Sequence, residues 1–393
     1  MSNGDDSRVS PDLHRKKKIS DGHAEHYRTV GTRPGAQELR GETMASRGEE
    51  PLISADSHIV EDPHLWENRL PVAFKDQAPV FPEREVGGLF QAHAGGWDPH
   101  ERVKEMAVDG VSGEVLYPSF AMNLFGLQDA ALQEACFRVY NDWILEYCSV
   151  APDRLYGVSC IPTYDIDHGV AELERCRKAG LPGALMWQAP PPELSFATNH
   201  YERLWTAAQD LEVPISLHIL TGQPFPWPRP MGQGGRRQAF ETMRSAVNSK
   251  LLYASNAMSD LIMTGVLERY PRLKFVLVEN EVSWIPFCLT QYDKYWGRGN
   301  LDSPLTMFPS EYFFRQFYAT FFNDPPARWI FDVWGSNNLM WSNDYPHPNS
   351  TWPKSWDVIT RDLGHLSEET RSRLLRENVR QLYKLPALTP VAV

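Results

Sequence analysis

The chain has 393 residues, 42% of them hydrophobic, enough for one large α/β domain or two smaller ones with a substantial core. Its 39 Lys and Arg against 50 Asp and Glu leave a formal net charge of −11, which argues against nucleic acid or an anionic membrane as partner and for a small-molecule substrate. Five cysteines without CxxC spacing argue against a disulfide framework or a cysteine-rich zinc site. No apolar run reaches the roughly 18 residues of a spanning helix, and the N-terminus lacks a secretory apolar segment, so the expectation is a soluble cytoplasmic protein.

Residues 1–50 are poor in large apolar side chains, carry the basic run HRKKK at 14–18, and read as a disordered tail ahead of a folded domain spanning 51–393. Met44, shortly before the first strand, is an alternative translation start. The first β-rich run, ISADSHIV (53–60), carries Asp56 and His58; residues i and i+2 of a strand face the same side, so both side chains converge on one point. In GGWDPHERVKEM, Trp97 and Asp98 either line a substrate mouth or open a helix with Asp98 as its N-cap.

Further strands are expected at GEVLYPS (113–119), LYGVSCIP (155–162) and GALMWQ (183–188), separated by helical periodicity over 129–150, 167–180 and 200–212. PISLHIL (214–220) places His218 in an apolar strand. The loop after it, 222–238, supplies Arg229, Arg236 and Arg237 amid Pro, Trp and Phe, either as a substrate-binding lid or as a stiff surface loop. The segment RSAVNSKLLYASNAMSDLIMTGVLERY is rich in apolar residues and would allow a homodimer. KFVLVEN (274–280) ends near Glu279, FYATFF (317–322) follows, and NLMWSNDYP (338–346) contains Asp344, with His347 in the proline-rich turn beyond.

Eight near-continuous apolar strands alternating with helices indicate a parallel sheet covered by helices, and eight strands close a TIM-like (β/α)8 barrel. An open doubly wound sheet is the alternative, but no GxGxxG follows the first strand and no P-loop lysine motif is present. In a barrel the C-terminal strand ends share one mouth, which would gather Asp56, His58, His218 and Asp344. Two imidazoles and two carboxylates suit a divalent cation. Taken singly, each has a bland reading, a core histidine or a helix cap, but together they would leave buried charge uncompensated without a cation or strong donors.

The run ADSHIVEDPHLWENRLP, the segment LIMTGVLERYPRLKFVLVENEVSWIPFCLTQYD and the closing WSNDYPHPNSTWP resemble the amidohydrolase-related family, the branch that includes aminocarboxymuconate-semialdehyde decarboxylase; the likeness spans about residues 53–385. It implies a distorted (β/α)8 barrel with one divalent metal, zinc preferred and manganese admitted, held by Asp56, His58, His218 and Asp344. Many relatives carry His-x-His on the first strand where Asp56 stands here. The decarboxylase's catalytic histidine after the sixth strand has no counterpart, Glu279 being nearest to it. Asp344, Glu279 and His347 are the expected proton-transfer groups, with Trp97 and Arg229 against the substrate; the bland reading pairs Glu279 with Arg272 or Arg315.

Three functions follow. Hydrolysis of a small carbonyl compound (amide, ester, lactone or activated C–C bond) by a metal-activated water is preferred, because the decarboxylase's histidine is missing. Nonoxidative decarboxylation of an aromatic or unsaturated acid is the alternative, and a barrel that binds without chemistry is third.

Overall fold

The computed structural model of the protein describes residues 50–82, 93–222, 241, 243–245, 247–299 and 303–391. The expected tail with HRKKK and Met44 therefore lies outside the described residues, as do Arg229, Arg236 and Arg237.

Eight parallel strands form one sheet in sequence order: β1 (Leu52–His58), β2 (Val111–Tyr117), β3 (Leu155–Cys160), β4 (Gly183–Met186), β5 (Ile215–His218), β6 (Phe275–Val278), β7 (Phe317–Phe321) and β8 (Leu339–Trp341). Every strand residue except Tyr318 is buried. One face of each strand fills the barrel and the other lies under helices, which is why the runs are apolar throughout rather than alternating. The helices that return the chain between strands include α1 (Pro99–Asp109), α2 (Ala130–Cys148), α3 (Ile166–Ala179), α4 (Glu202–Asp210), α5 (Ala254–Met263) and α6 (Ile285–Trp296). Asp98, Asp129 and Asp165 cap the first three of these, each accepting two backbone N–H bonds. Such a cap contributes about 1 kcal/mol and fixes where each helix leaves its loop.

Two irregularities shape the mouth. Between Ser54 and Ser57 β1 advances three residues while β2 advances two, from Glu114 to Leu116, so β1 is bulged just where Asp56 sits. The seam between β8 and β1 is held by single bonds: Asp344 N–H donates to the Asp56 carbonyl at 3.1 Å, and His58 N–H donates to the Tyr345 carbonyl at 2.6 Å. The Ser54 and Ser57 hydroxyls add bonds to Asn343 Oδ1 at 3.0 and 2.8 Å. The barrel is thus distorted as the resemblance implied.

All eight expected strands are present, each ending one to five residues before its expected run, and after three of them the backbone turns left-handed. Leu220 (φ 67°), Glu279 (φ 57°) and Asp344 (φ 55°) lie just beyond β5, β6 and β8 in the left-handed region, where the backbone leaves the ladder. Non-glycine residues in that region are strained, and here they lie around one opening.

Candidate metal centre

The mouth is built from strand exits. Asp56, His58, His218 and Asp344 are all buried there. His58 Nδ1–H donates to the Pro118 carbonyl at 2.8 Å, and His218 Nδ1–H donates to the Ile219 carbonyl at 2.9 Å. These backbone acceptors set both tautomers, so each ring turns a bare Nε2 inward. The two Nε2 atoms are 3.3 Å apart. Asp56 Oδ1 lies 3.6 Å from His58 Nε2 and 3.7 Å from His218 Nε2, and Asp344 Oδ1 lies 3.6 Å from His58 Nε2.

Both Asp56 oxygens and Asp344 Oδ1 have no hydrogen-bond partner among the described residues. His347 Nδ1 approaches Asp344 Oδ1 to 3.0 Å without hydrogen-bond geometry. Lone pairs from two imidazoles and two carboxylates facing one another in a buried space are unfavourable unless protons or a cation sit between them. The set fits a divalent cation that accepts nitrogen and oxygen donors. Donor atoms of Asp56, His58 and His218 all lie within 4.8 Å of one another, as do those of His58, Glu279, Asp344 and His347.

Electrostatics reflect this crowding. Burial and then Asp56 push the Asp344 carboxyl well above its ordinary range. Burial and then Asp344 push Glu279 up to about 7. Burial, with His347 and His218 nearby, holds His58 well below its usual range. His218 moves the other way: burial opposes a proton there, but Asp56 and then Glu279 outweigh it. The His347 ring stacks on His58 with centroids 3.9 Å apart.

Beyond these donors lies a cluster that the sequence did not announce. Lys250 Nζ donates to the Glu279 carbonyl at 2.9 Å and stands 3.6 Å from Glu279 Oε1 and 3.8 Å from Glu281 Oε1. The bland pairing of Glu279 does not occur: Arg272 binds Asp210, and Arg315 binds Gln316 and the Leu267 carbonyl. A second unannounced group is Glu61, a buried carboxylate that accepts N–H bonds from Ser119, Phe120 and Ala121 at 3.3, 2.7 and 2.9 Å. Those amides directly follow Pro118, whose carbonyl orients His58, so Glu61 secures the turn that aims the imidazole. Arg102 holds the same strand end from behind, donating to the His58 carbonyl at 2.7 Å while its Nε pairs with Glu114.

The four ligands expected from the sequence, together with Glu279 and His347, meet in one place. Asp98 caps α1. Val60 N–H donates to the Gly96 carbonyl, and Gly96 packs against Pro346 and Val60, which puts Trp97 at the rim beside the exits of β1 and β8. Lys250 carried no signal, being one lysine in a helical segment. Glu61 stood three residues after His58 in SHIVED, and a buried acid there becomes legible only once the Ser119–Ala121 amides are placed.

A family model described as amidohydrolase matches residues 56–385. The gamma-resorcylate decarboxylase of a Rhizobium species is 26% identical over 264 residues, covering 62% of this chain and 75% of the relative. Among solved structures, 2,6-dihydroxybenzoate decarboxylase from Rhizobium is similar with a TM-score of 0.65 and 20% identity, over 86% of this chain and 99% of that one. A dihydroxybenzoic acid decarboxylase from Polaromonas, with bound manganese and the inhibitor 2-nitroresorcinol, is similar with a TM-score of 0.63 and 20% identity, over 86% and 97%.

Proposed function

The chain belongs to the amidohydrolase family, and we propose that within it this enzyme is a manganese-dependent nonoxidative decarboxylase of an aromatic carboxylic acid. This reverses the preference drawn from the sequence, where hydrolysis stood first and zinc was favoured. The observation that carries the reading is a carboxyl group set against the donor cluster: a Glu279 oxygen lies within 4.8 Å of donor atoms of His58, Asp344 and His347, and burial and then Asp344 push that carboxyl up to about 7. Loss of carbon dioxide from a ring requires a proton at the carbon that carried it, and such a carboxyl supplies one near neutral pH. The named relatives support the same chemistry and, through the Polaromonas structure, the same metal.

Asp56, His58, His218 and Asp344 would hold the ion. A divalent cation bound there supplies Lewis acidity that fixes and polarises an oxygen-bearing substrate. The chain's own groups then account for the rest. The protonated carboxyl of Glu279 gives its proton to the ring carbon bearing the carboxylate. The C–C bond then breaks, and its electron pair returns to the ring and restores aromaticity as carbon dioxide leaves. His347, stacked on His58 and within 4.8 Å of a Glu279 oxygen, is placed to return a proton to that glutamate. Trp97 at the rim would contact the ring.

The test is a product assay on manganese-loaded enzyme with a panel of hydroxybenzoic acids in oxygen-18 water. Carbon dioxide release in step with substrate loss, and no label in the aromatic product, is expected. Label uptake into the product without carbon dioxide would return hydrolysis to first place.

We also infer a homodimer. Leu251 and Leu252 of the segment before α5, with Phe287 and Tyr295 on α6, are exposed apolar groups, and the Tyr292–Ser255 hydrogen bond ties the two helices together. Sedimentation equilibrium checks this. No helix among the described residues is long and apolar enough to cross a membrane, and all five cysteines are free, which supports a reducing, cytoplasmic setting.

A further inference from the structure

We propose that Lys250 is the cation that receives the carboxylate of the acidic substrate at the barrel mouth, and so sets the enzyme's preference for acids over neutral analogues. This rests on the reading above that the substrate is an aromatic acid.

Three local irregularities converge on this lysine. It is carried by a π-helical turn, Ser249–Tyr253, and such turns inside α-helical segments frequently mark functional positions. Opposite it, Glu279 and Glu281 both adopt left-handed backbone conformations, with φ 57° each, a strain that persists only where surrounding structure enforces it. The enforcement is visible. Glu279 N–H donates to Thr320 Oγ1 at 2.9 Å, and Asp324 accepts from Val282 N–H, Ser283 N–H and the Ser283 hydroxyl at 2.9, 2.7 and 2.7 Å. β7 and the turn that follows it therefore hold the exit loop of β6 where its Glu279 carbonyl meets Lys250.

The geometry leaves the ammonium held but not sealed. Of its three N–H donors, the Glu279 carbonyl takes one at 2.9 Å. The carboxylates of Glu279 and Glu281, at 3.6 and 3.8 Å, lie beyond direct hydrogen bonds. The side chain is 30% exposed. The Phe322 ring lies 5.4 Å from Nζ, giving the ammonium an aromatic neighbour as well as a carbonyl. A carboxylate entering a mouth rimmed by acidic side chains needs a fixed donor of positive charge to bind, and the Lys250 ammonium stands beside the donor cluster to supply it. Both glutamates stand at ion-pair distance without hydrogen-bonding the ammonium, which leaves it donors for an entering carboxylate.

The experiment uses the manganese-loaded enzyme and two probes, 2-hydroxybenzoate and 2-hydroxybenzamide, with affinities measured by calorimetry. Wild type is expected to prefer the acid. Lys250→Met should weaken the acid by about 10- to 100-fold, the range set by losing a charge-assisted hydrogen bond, while leaving the amide within about twofold and the manganese content unchanged. Lys250→Arg should recover part of the preference. Equal weakening of both probes, unchanged affinity for both, or a wild type with no acid preference would overturn the proposal. Should Lys250→Met fail to fold, Lys250→Gln, which keeps a donor to the Glu279 carbonyl without the charge, is read by the same criteria. Binding needs no turnover, so the two readings fail separately. Acid binding lost in Lys250→Met without any carbon dioxide release removes decarboxylation alone, and carbon dioxide release with an unaltered acid preference in that variant removes the role of Lys250 alone.

Discussion

Replacing Asp56 by Asn should change the sign of its effect on stability according to whether metal is present. Both Asp56 oxygens are buried without a hydrogen-bond partner among the described residues, facing two imidazole Nε2 atoms at 3.6 and 3.7 Å. In chelated protein a proton taken up by His218 offsets part of that burden, since Asp56 and Glu279 raise its affinity for protons against burial. The residual cost of an unsatisfied buried acceptor is about 1–3 kcal/mol. An amide at this position presents N–H donors to the imidazole lone pairs, so the variant should be the more stable by about that amount. With manganese at a thousand times its dissociation constant, wild type gains about 4 kcal/mol by linkage, whereas a variant weakened by some two to three decades gains only about 1 kcal/mol. The order then inverts by about 0–2 kcal/mol in favour of wild type. Urea unfolding at 25 °C with chelator and with manganese reads both differences. A variant less stable than wild type under both conditions would refute the argument that Asp56 is an acceptor awaiting a cation.

His218→Ala should lose metal retention with the barrel intact, read by elemental analysis and far-UV circular dichroism; unchanged metal content would remove His218 from the site. Glu61→Gln should weaken manganese affinity about 10- to 100-fold by loosening the turn that orients His58, measured by metal titration. Glu61 also predicts a pH effect. Burial pushes it from an ordinary 4.5 up to about 7 against bonds from Ala121 and Phe120, so the folded protein binds the extra proton. Its contribution is complete below about pH 4.5 and is lost as pH rises to about 7, by up to about 3 kcal/mol, in chelated wild type relative to Glu61→Gln. Parallel stability profiles would contradict this. Arg102→Met strands Glu114 in the core and should cost about 3–5 kcal/mol by urea unfolding, with partial recovery on adding Glu114→Gln.

The barrel was legible because its strands are buried on both faces and so stand out as apolar runs of the right length. Where the runs misled is informative: Leu220, Glu279 and Asp344 turn left-handed and leave the ladder, and no residue preference announces that in non-glycine positions. Asp56 and His58 were found by strand period although β1 is bulged between Ser54 and Ser57, and both still bring donor atoms to the same cluster. Lys250 was invisible because its partners lie 29 and 31 positions away at the β6 exit and its own segment has ordinary helical composition. The choice between hydrolysis and decarboxylation was not legible at all, because the donor set serves both reactions and the group proposed to favour one of them, Glu279, is pushed up to about 7 only by burial and Asp344 in the folded chain.

The most direct measurement is anomalous diffraction at the manganese edge from crystals grown with that ion. One strong peak per chain, about 2.0–2.6 Å from His58 Nε2, His218 Nε2 and a carboxylate oxygen each of Asp56 and Asp344, is the predicted result. A peak elsewhere, or none at full manganese loading, would contradict the account.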